Sequence, residues 1–269
     1  MRADIALVER GLARSRNHAS SLIEANRVLV QGKEVRKSSQ NIEDDVPIVV
    51  LDAVEFVSRA GHKLARALDE FAEIQVNGRN CLDVGASTGG FTDVLLRMGA
   101  ELVVAVDVGH DQMVAELFDH QRVFALEGFN ARDMTLERLR SATKLDMDED
   151  FFQLVVADVS FISLTLVMPA MREVARAADF VLLIKPQFEV GKDSLSANGI
   201  VNDHRLRAQA IKQVVACADE LGLGVRGLVK SGLPGTHGNI EYVLWISANE
   251  PKNGSKWSDQ IEEIAREAK

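Results

Sequence analysis

Apolar runs alternate regularly with amphipathic helical patterns from Gly61 onward, and this alternation limits the fold more closely than any other feature of the chain. Short apolar strands separated by helices are typical of a doubly wound α/β domain whose strands run parallel. Two later runs, residues 224–230 and 240–247, are separated by a segment too short for a crossover helix, so these two should pair antiparallel. The sequence therefore predicts a mostly parallel, seven-stranded sheet with a terminal antiparallel hairpin. The other strands are predicted at residues 80–84, 101–106, 123–127, 153–158 and 180–185.

The first fifty residues have a different pattern, which predicts a small α+β unit. Residues 4–11 and 15–25 have the spacing of two short amphipathic helices, and an apolar triplet at 28–30 and a turn come after them. A second extended run at 46–51 completes this unit, and a final surface helix is predicted from Ser255. We therefore divide the 269-residue chain into a first domain at 1–52, a linker at 53–58, a main domain at 59–248 and a C-terminal tail at 249–269.

The charge of the chain is unevenly distributed. The formal net charge is −9, yet the first 40 residues carry eight basic and four acidic side chains. Phosphate binding depends on such local basic patches, although charged residues of this kind commonly do no more than solvate a helix face. Because aromatic residues are nearly absent there, we expect contacts with the shape and phosphates of folded RNA instead of base stacking. The candidate RNA-binding residues are Arg2, Arg14, Ser15, Arg16, Arg27, Lys33, Arg36 and Lys37, together with Arg59 of the main domain.

Composition disfavours several classes of protein. The chain has no apolar stretch of about 18 residues, the length that a membrane-spanning helix needs, and its charged N-terminus does not resemble a signal peptide. Cys81 and Cys217 are its two cysteines, and neither belongs to a C-x-x-C pair or neighbours a histidine. We therefore expect a cytoplasmic protein without stable membrane association, disulfide bonds or a metal site.

A glycine-rich turn comes after the first predicted strand of the main domain, in the segment Leu82-Asp83-Val84-Gly85-Ala86-Ser87-Thr88-Gly89-Gly90-Phe91-Thr92. Glycines at a strand-to-helix turn allow a ligand to approach the backbone closely. A phosphate-binding P-loop would end in Gly-Lys-Ser/Thr and a dinucleotide fingerprint would read G-x-G-x-x-G, whereas this turn reads G-x-x-x-G-G. Neither motif matches, and a glycine-rich turn that binds no ligand is the simpler alternative.

Two acidic residues near this turn narrow the choice of ligand. Asp83 lies just ahead of the first glycine, where a carboxylate can meet an amine, and Asp107 comes after the second strand, where an acid can bind ribose hydroxyls. The pattern D-x-G-x-x-x-G-G with a second-strand acid resembles the S-adenosylmethionine site of Rossmann-like class I methyltransferases. The resemblance implies S-adenosylmethionine as the cofactor. The residues that it implicates are Asp83, Gly85, Ala86, Ser87, Thr88, Gly89, Gly90 and Asp107, with Asn130 in a loosely constrained segment.

The loop after the fourth predicted strand narrows the choice of acceptor atom. Methylation of a base nitrogen commonly uses an Asp/Asn-Pro-Pro-aromatic loop there, whereas this chain reads Asp158-Val159-Ser160-Phe161. Methylation of a pyrimidine carbon needs a cysteine nucleophile near that strand or the next, and neither cysteine of the chain lies there. These observations favour a ribose hydroxyl, with base methylation as the nearest enzymatic alternative.

Charged residues at the predicted strand ends suit a ribose acceptor. Asp158 and Lys185 lie at the ends of the fourth and fifth strands, Glu241 lies near the start of the last, and Lys63 lies on the helix that enters the domain. A lone charge at a strand end is usually a solvated surface residue, but Lys185 ends a strongly apolar run. A lysine can take a proton from a hydroxyl only when the pKa of its ammonium is lowered.

Lys63, Asp158, Lys185 and Glu241 resemble the Lys-Asp-Lys-Glu tetrad of the FtsJ-like ribose 2′-O-methyltransferases, and this likeness spans residues 58–248. Three further strings resemble the TlyA family, whose members are called both haemolysin and rRNA methyltransferase. These strings are Ser58-Arg59-Ala60-Gly61-His62-Lys63-Leu64, Lys185-Pro186-Gln187-Phe188-Glu189-Val190-Gly191-Lys192 and Gly238-Asn239-Ile240-Glu241-Tyr242.

The resemblance to this family implies an activity for the protein and a separate role for each domain. The first domain would be an S4-type RNA-binding domain, and the substrate would be cytidine 2′-hydroxyls of small-subunit and, in some members, large-subunit rRNA. Lys185 would be the general base, while Lys63, Asp158 and Glu241 would orient the ribose and tune that lysine. The alternatives are a membrane-active haemolysin and a non-catalytic RNA-binding or ribosome-assembly factor. The sequence does not predict the oligomeric state.

Overall fold

The computed structural model describes residues 1–13, 15–24, 27–43, 46–50, 56–191, 195–196, 198–235 and 238–267. The chain divides into two compact units, residues 1–55 and 56–269. Arg14, one of the candidate RNA-binding residues, lies outside the described residues, as do residues 53–55 of the predicted linker.

The first unit contains two helices and a small antiparallel sheet. Its elements are α1 (Ala3–Glu9), α2 (Arg16–Glu24), β1 (Val28–Val30), β2 (Lys33–Glu34) and β3 (Ile48–Val50), with strand order β2-β1-β3. The turn between β1 and β2 places Gln31 and Gly32 at φ values of 52° and 75°, as a two-residue hairpin turn with the twist of the strands requires. Leu7, Leu22 and Ile23 are buried among the side chains that hold the helices to the sheet.

The second unit is built around a seven-stranded sheet in the described part of the chain. The strands are β4 (Asn80–Val84), β5 (Leu102–Val106), β6 (Val123–Leu126), β7 (Leu154–Ala157), β8 (Asp179–Ile184), β9 (Gly224–Lys230) and β10 (Tyr242–Ser247). The strand order is β6-β5-β4-β7-β8-β10-β9, and β4 to β8 run parallel, while β10 pairs antiparallel with both β8 and β9. The predicted mostly parallel sheet with its antiparallel hairpin is therefore confirmed.

Helices cover both faces of this sheet because its central strands are apolar on both sides. In β4, Cys81 packs into one cluster and Leu82 into the other, as the alternation of side chains along a strand dictates. One cluster includes α3 (Arg59–Glu70) and α4 (Gly90–Arg97), and the other includes α7 (Leu164–Val174), α9 (His204–Glu220) and α10 (Ser258–Arg266). The remaining helices are α5 (Ala115–Phe118), α6 (Leu136–Thr143) and α8 (Pro186–Glu189).

The strand order fixes where a ligand can bind. The direction in which successive strands are added reverses between β4 and β7, the two neighbours at the centre of the parallel sheet. Open α/β sheets bind ligands at the carboxyl ends of strands at such a reversal point, because the two connecting loops separate there. Within the described residues, the helices are each too short or too polar to cross a lipid bilayer.

Candidate active site

Lys185 and Asp158 lie just beyond neighbouring parallel strands and form an ion pair. Asp158 comes directly after β7 and Lys185 directly after β8, so both side chains leave the same edge of the sheet. The Lys185 Nζ atom lies 2.5 Å from Asp158 Oδ1 and donates to Ser160 Oγ at 2.7 Å. The lysine is thus held by two oxygens of the β7–α7 loop, and its direction is fixed.

Lys63 and Glu241 form a second ion pair, which is more deeply buried. Lys63 Nζ donates to Glu241 Oε2 at 2.5 Å, and the two side chains are 9% and 3% exposed. Lys63 lies on α3, while Glu241 directly precedes β10, so the pair joins two elements across 178 residues of sequence. A buried charge without a partner would be costly, and the pairing satisfies both groups.

The two ion pairs line one cavity of about 350 Å³. Lys63 and Glu241 contribute to its wall together with Asp158, Lys185 and the β4–α4 loop. The structure therefore brings together the four tetrad residues that the sequence suggested, with two cations and two carboxylates around one space. The other lining residues are Ser58, Arg59, Ala60, Gly85, Ala86, Ser87, Thr88, Phe91, Ser160 and Pro234.

The β4–α4 loop requires glycine where it meets the tetrad. Gly85 has a φ of 85°, and a Cβ atom there would lie 2.6 Å from the backbone oxygen of Asp158. Gly89 precedes α4 with a φ of 94°, and a Cβ atom there would meet Leu117 at 2.4 Å. The loop can therefore pass directly beside the end of β7 only without a side chain at Gly85, while Gly89 allows the loop to lie against α5. This close approach suits a ligand that lies against backbone, as the cofactor hypothesis requires.

Asp83 is a fully buried acid beneath this loop. Its Oδ2 atom accepts a hydrogen bond from Thr92 Oγ1 at 2.6 Å, and its Oδ1 atom has no hydrogen-bond partner among the described residues. Burial raises the pKa of Asp83 to about 7, and the nearby carboxylates of Asp158 and Asp107 add to this rise. An orphaned buried oxygen of this kind fits a cationic ligand group that arrives with the cofactor.

Asp107 lies beyond the end of β5 and anchors two loops. Its carboxylate accepts from the backbone N–H groups of Ser87 at 2.8 Å and Gly109 at 2.7 Å. Asn130 lies farther along the chain, where its Oδ1 atom accepts from the backbone N–H of Arg132 and caps a short helix. Ala86, Ser87 and Thr88 line the cavity with Gly85, whereas Asp83, Gly89, Gly90, Asp107 and Asn130 do not.

The basic residues of the first unit differ in how they are held. Arg2 and Arg16 both pair with the buried carboxylate of Asp4, whereas Arg36 lies 3.6 Å from the exposed Glu34. Ser15 accepts from the backbone N–H of His18 at 3.2 Å. Lys33 and Lys37 are exposed and Arg27 is half-buried. In the second unit, Arg59 donates to the backbone oxygen of Pro234 and lines the cavity.

Three residues near the tetrad were missed by sequence reasoning. Ser160 binds Lys185, and Phe161 beside it is 92% exposed with a φ of 63°, which is unusual for an aromatic residue. Glu189 is buried and accepts from Ser163 Oγ and from the backbone N–H of Leu164, at the start of α7. The string that begins at Lys185 contained Glu189, but only the tertiary contact reveals what it binds.

Comparison with known families assigns both units. The FtsJ-like methyltransferase family matches residues 56–248, and the S4 domain matches residues 1–46. The first match covers more than half of the chain and contains the whole tetrad and the glycine-rich loop. The chain therefore belongs to the FtsJ-like methyltransferase family and carries an S4 domain at its N-terminus.

Individual relatives narrow the assignment. The 16S/23S rRNA (cytidine-2′-O)-methyltransferase TlyA of Mycobacterium tuberculosis H37Rv is 47% identical over 248 residues, which cover 91% of this chain and 89% of that protein. Hemolysin A of Brachyspira hyodysenteriae is 38% identical and covers 90% of this chain and 98% of its own length. A solved structure from Streptococcus thermophilus, described as a candidate haemolysin, matches with a TM-score of 0.73 at 34% identity and covers 98% of this chain and 94% of that one. The predicted resemblance to the TlyA family is confirmed.

Proposed function

We propose that this protein transfers the methyl group of S-adenosylmethionine to ribose 2′-hydroxyls of ribosomal RNA, with cytidine as the target nucleoside. The observation that carries the proposal is the single cavity where the ion pairs Lys185–Asp158 and Lys63–Glu241 meet the glycine-rich loop. The 47%-identical relative is named for this reaction on 16S and 23S rRNA. Assays with each ribosomal subunit as substrate distinguish which of the two this chain modifies.

In this proposal Lys185 removes the proton of the 2′-hydroxyl. S-adenosylmethionine supplies an electrophilic methyl group on its sulfur. The ribose oxygen forms the new O–C bond as the S–C bond breaks, and the hydroxyl proton passes to Lys185 Nζ, which must enter the step as a free amine. Asp158 pairs with Nζ and Ser160 accepts a hydrogen bond from it, so the amine is held beside the cavity that it lines.

The second pair positions the sugar. Lys63 and Glu241 are almost fully buried and both line the cavity, so their contact is held beside the space that the sugar would occupy. A ribose brings hydroxyls that can both donate and accept, which suits an ammonium beside a carboxylate. Phe161 presents an exposed ring next to Ser160, where a nucleobase attached to that ribose could stack.

The cofactor would lie along the β4–α4 loop. Gly85 lines the cavity without a side chain, and Ala86, Ser87 and Thr88 line the same wall. Asp83 would meet the positively charged end of the cofactor, which supplies the partner that its buried oxygen lacks. Asp107 would bind the ribose hydroxyls of the cofactor, as acids at this position of the second strand do in related folds.

The first unit would hold the RNA. It contains exposed basic side chains on a domain of the S4 type, while the chain as a whole is acidic. Binding through phosphates makes affinity strongly dependent on salt, so the RNA affinity should fall steeply as salt rises. The affinity for a cofactor that binds inside the second unit should depend far less on the salt concentration.

The experiment is labelled methyl transfer from S-adenosylmethionine to purified small and large ribosomal subunits. The product should resist alkaline cleavage at the modified nucleotide, because the 2′-oxygen is blocked. Lys185→Ala should lower transfer by at least about a hundredfold, as expected for removal of a general base. Lys212→Ala, which removes a lysine paired with Glu262 on the surface, is the matched control and should leave the rate unchanged. Absence of transfer to any particle, or equal rates for Lys185→Ala and wild type, would overturn the proposal.

A further inference from the structure

Two arginines of the first unit converge on one buried acid. Asp4 Oδ1 accepts from Arg2 Nε at 2.9 Å, and Asp4 Oδ2 accepts from Arg2 Nη2 at 3.2 Å. Asp4 Oδ2 also accepts from Arg16 Nε at 3.2 Å and Arg16 Nη2 at 2.9 Å. Arg2 precedes α1 and Arg16 begins α2, so the carboxylate joins the starts of both helices.

The exposure of the three side chains differs sharply. The Asp4 side chain is 4% exposed, whereas those of Arg2 and Arg16 are 45% and 62% exposed. Hydrogen bonds from Arg2 and then Arg16 hold the pKa of Asp4 well below its usual range, so it is ionised at every working pH. The acid therefore lies underneath, and the two guanidinium groups present their outer sides to solvent with a combined charge of +1.

A buried acid that pairs with two arginines affects phosphate binding in two opposing ways. It subtracts one charge, which weakens the attraction that long-range electrostatics provides. It also removes the rotational freedom of two long side chains, and ordering each such chain at an interface otherwise costs affinity. A guanidinium whose fork is fixed can meet phosphate oxygens through its remaining N–H groups in a defined geometry.

We propose that Asp4 is a positioning residue that holds Arg2 and Arg16 as a two-pronged surface for adjacent phosphates of folded RNA. This inference rests on the proposed RNA-binding role of the first unit and adds to it the groups that carry the contact. The ordering of the two arginines outweighs the negative charge that Asp4 contributes. Recognition at this surface is of backbone geometry, because guanidinium groups on phosphates carry no base information.

The sign of the change in RNA affinity caused by Asp4→Asn distinguishes positioning of the arginines from a simple effect of net charge. If only net charge mattered, removal of an acid from a basic surface would tighten RNA binding. The proposal requires the reverse, with Asp4→Asn weakening the binding of ribosomal subunits by about threefold to tenfold, as expected for two side chains that must now be ordered on binding. The slope of log affinity against log salt should not become steeper, because the two arginines reach the same phosphates once they are ordered.

Glu9→Gln is the matched control. Glu9 is exposed on α1, and its replacement changes the charge of the same unit by the same amount. The control should bind ribosomal subunits equally or more tightly. Affinities are measured with the full chain and both purified subunits at several salt concentrations, and S-adenosylmethionine affinity is measured in parallel and should not change. Asp4→Asn binding as tightly as Glu9→Gln would overturn the proposal.

Arg16→Lys separates positioning from folding. It keeps the net charge and leaves the hydrogen bond between Arg2 and Asp4 in place, but lysine lacks the planar guanidinium group that Asp4 can orient. The proposal expects weaker RNA binding at a temperature where circular dichroism shows the variant to be folded, and wild-type affinity for Arg16→Lys would contradict it even if Asp4→Asn did not fold. The double variant Arg2→Ala/Arg16→Ala tests whether these two arginines contribute to RNA binding at all. If the double variant binds RNA as tightly as wild type, the RNA-binding role of these arginines is wrong. If the double variant binds RNA more weakly but Asp4→Asn does not, only the positioning role of Asp4 is wrong.

Discussion

Replacement of Asp83 by asparagine should make the unfolding free energy of the second unit less dependent on pH. Asp83 is fully buried, and its pKa of about 7 in the folded protein compares with 3.8 for an ordinary aspartate. The folded state therefore holds a proton that the unfolded state releases at lower pH. The stability that this proton contributes is complete below about pH 4 and is lost as the pH rises through about 7.

The size of the effect follows from the pKa difference. A shift of about three units corresponds to roughly 4 kcal/mol, at about 1.4 kcal/mol per unit. Asparagine carries no charge, so it escapes this penalty, but its buried amide group opposite the Thr92 bond lacks a partner and costs about 1–3 kcal/mol at any pH. Asp83→Asn should therefore be less stable than wild type at about pH 4.5 and more stable by about 1–3 kcal/mol at about pH 8.

Urea unfolding followed by tryptophan fluorescence measures this difference in the ligand-free protein. Both tryptophans, Trp245 and Trp257, belong to the second unit, so the signal reports that unit alone. Thr92→Val is a useful companion, because loss of its hydrogen bond should raise the pKa of Asp83 further and move the inflection to higher pH. Parallel stability curves for wild type and Asp83→Asn across this pH range would refute the reasoning. S-adenosylmethionine affinity should fall in the same variant at alkaline pH, since the carboxylate proposed to meet the cofactor is gone.

Substitutions at Gly85, in the Lys63–Glu241 pair and at Glu189 test how the site is held. Gly85→Ala should cost about 2 kcal/mol or more of unfolding free energy in urea, since its φ of 85° and a Cβ 2.6 Å from the Asp158 backbone leave no room for a methyl group. Glu241→Gln should cost about 3–5 kcal/mol by the same measurement, because Lys63 stays buried without a counter-charge, and the double change to Lys63→Met/Glu241→Leu should recover most of that loss while remaining inactive. Glu189→Ala should lower kcat about tenfold with little change in the KM for RNA, because the start of α7 is no longer joined to the segment that contains Lys185. Glu189→Gln should keep most of the activity. A variant that loses stability but keeps a normal kcat would contradict this prediction.

Two of the predicted strands, the fourth and the fifth, end one residue later than the observed strands, and both differences have the same physical cause. Asp158 and Lys185 were predicted as the last residues of their strands, whereas β7 ends at Ala157 and β8 at Ile184. Polar side chains at a strand end lie where the ladder of hydrogen bonds stops, so apolar patterning cannot locate the boundary to a single residue. Each shift places the charged group in the loop, where it is free to face the cavity.

The pairing within the tetrad depended on tertiary structure. The sequence grouped Lys63, Asp158, Lys185 and Glu241 through a resemblance, without indicating which acid would bind which lysine. Strand order decides this, because β7 and β8 are neighbours and bring Asp158 to Lys185, while β10 and α3 bring Glu241 to Lys63. Sequence separation contains no information about these distances.

The sequence by itself determined the alternating architecture, the glycine-rich loop and the basic first unit, because hydrophobic periodicity, glycine spacing and charge are properties of neighbouring residues. Only the tertiary structure decided that Asp83 has an orphaned buried oxygen, that Glu189 holds the start of α7, and that Asp4 lies beneath two arginines counted as independent RNA contacts. The sequence implicated Asp83 in cofactor binding but not its missing hydrogen-bond partner, and it gave Asp4 and Glu189 no separate role. Their roles depend on burial and on partners from other elements, and both arise only when the strands and helices pack together.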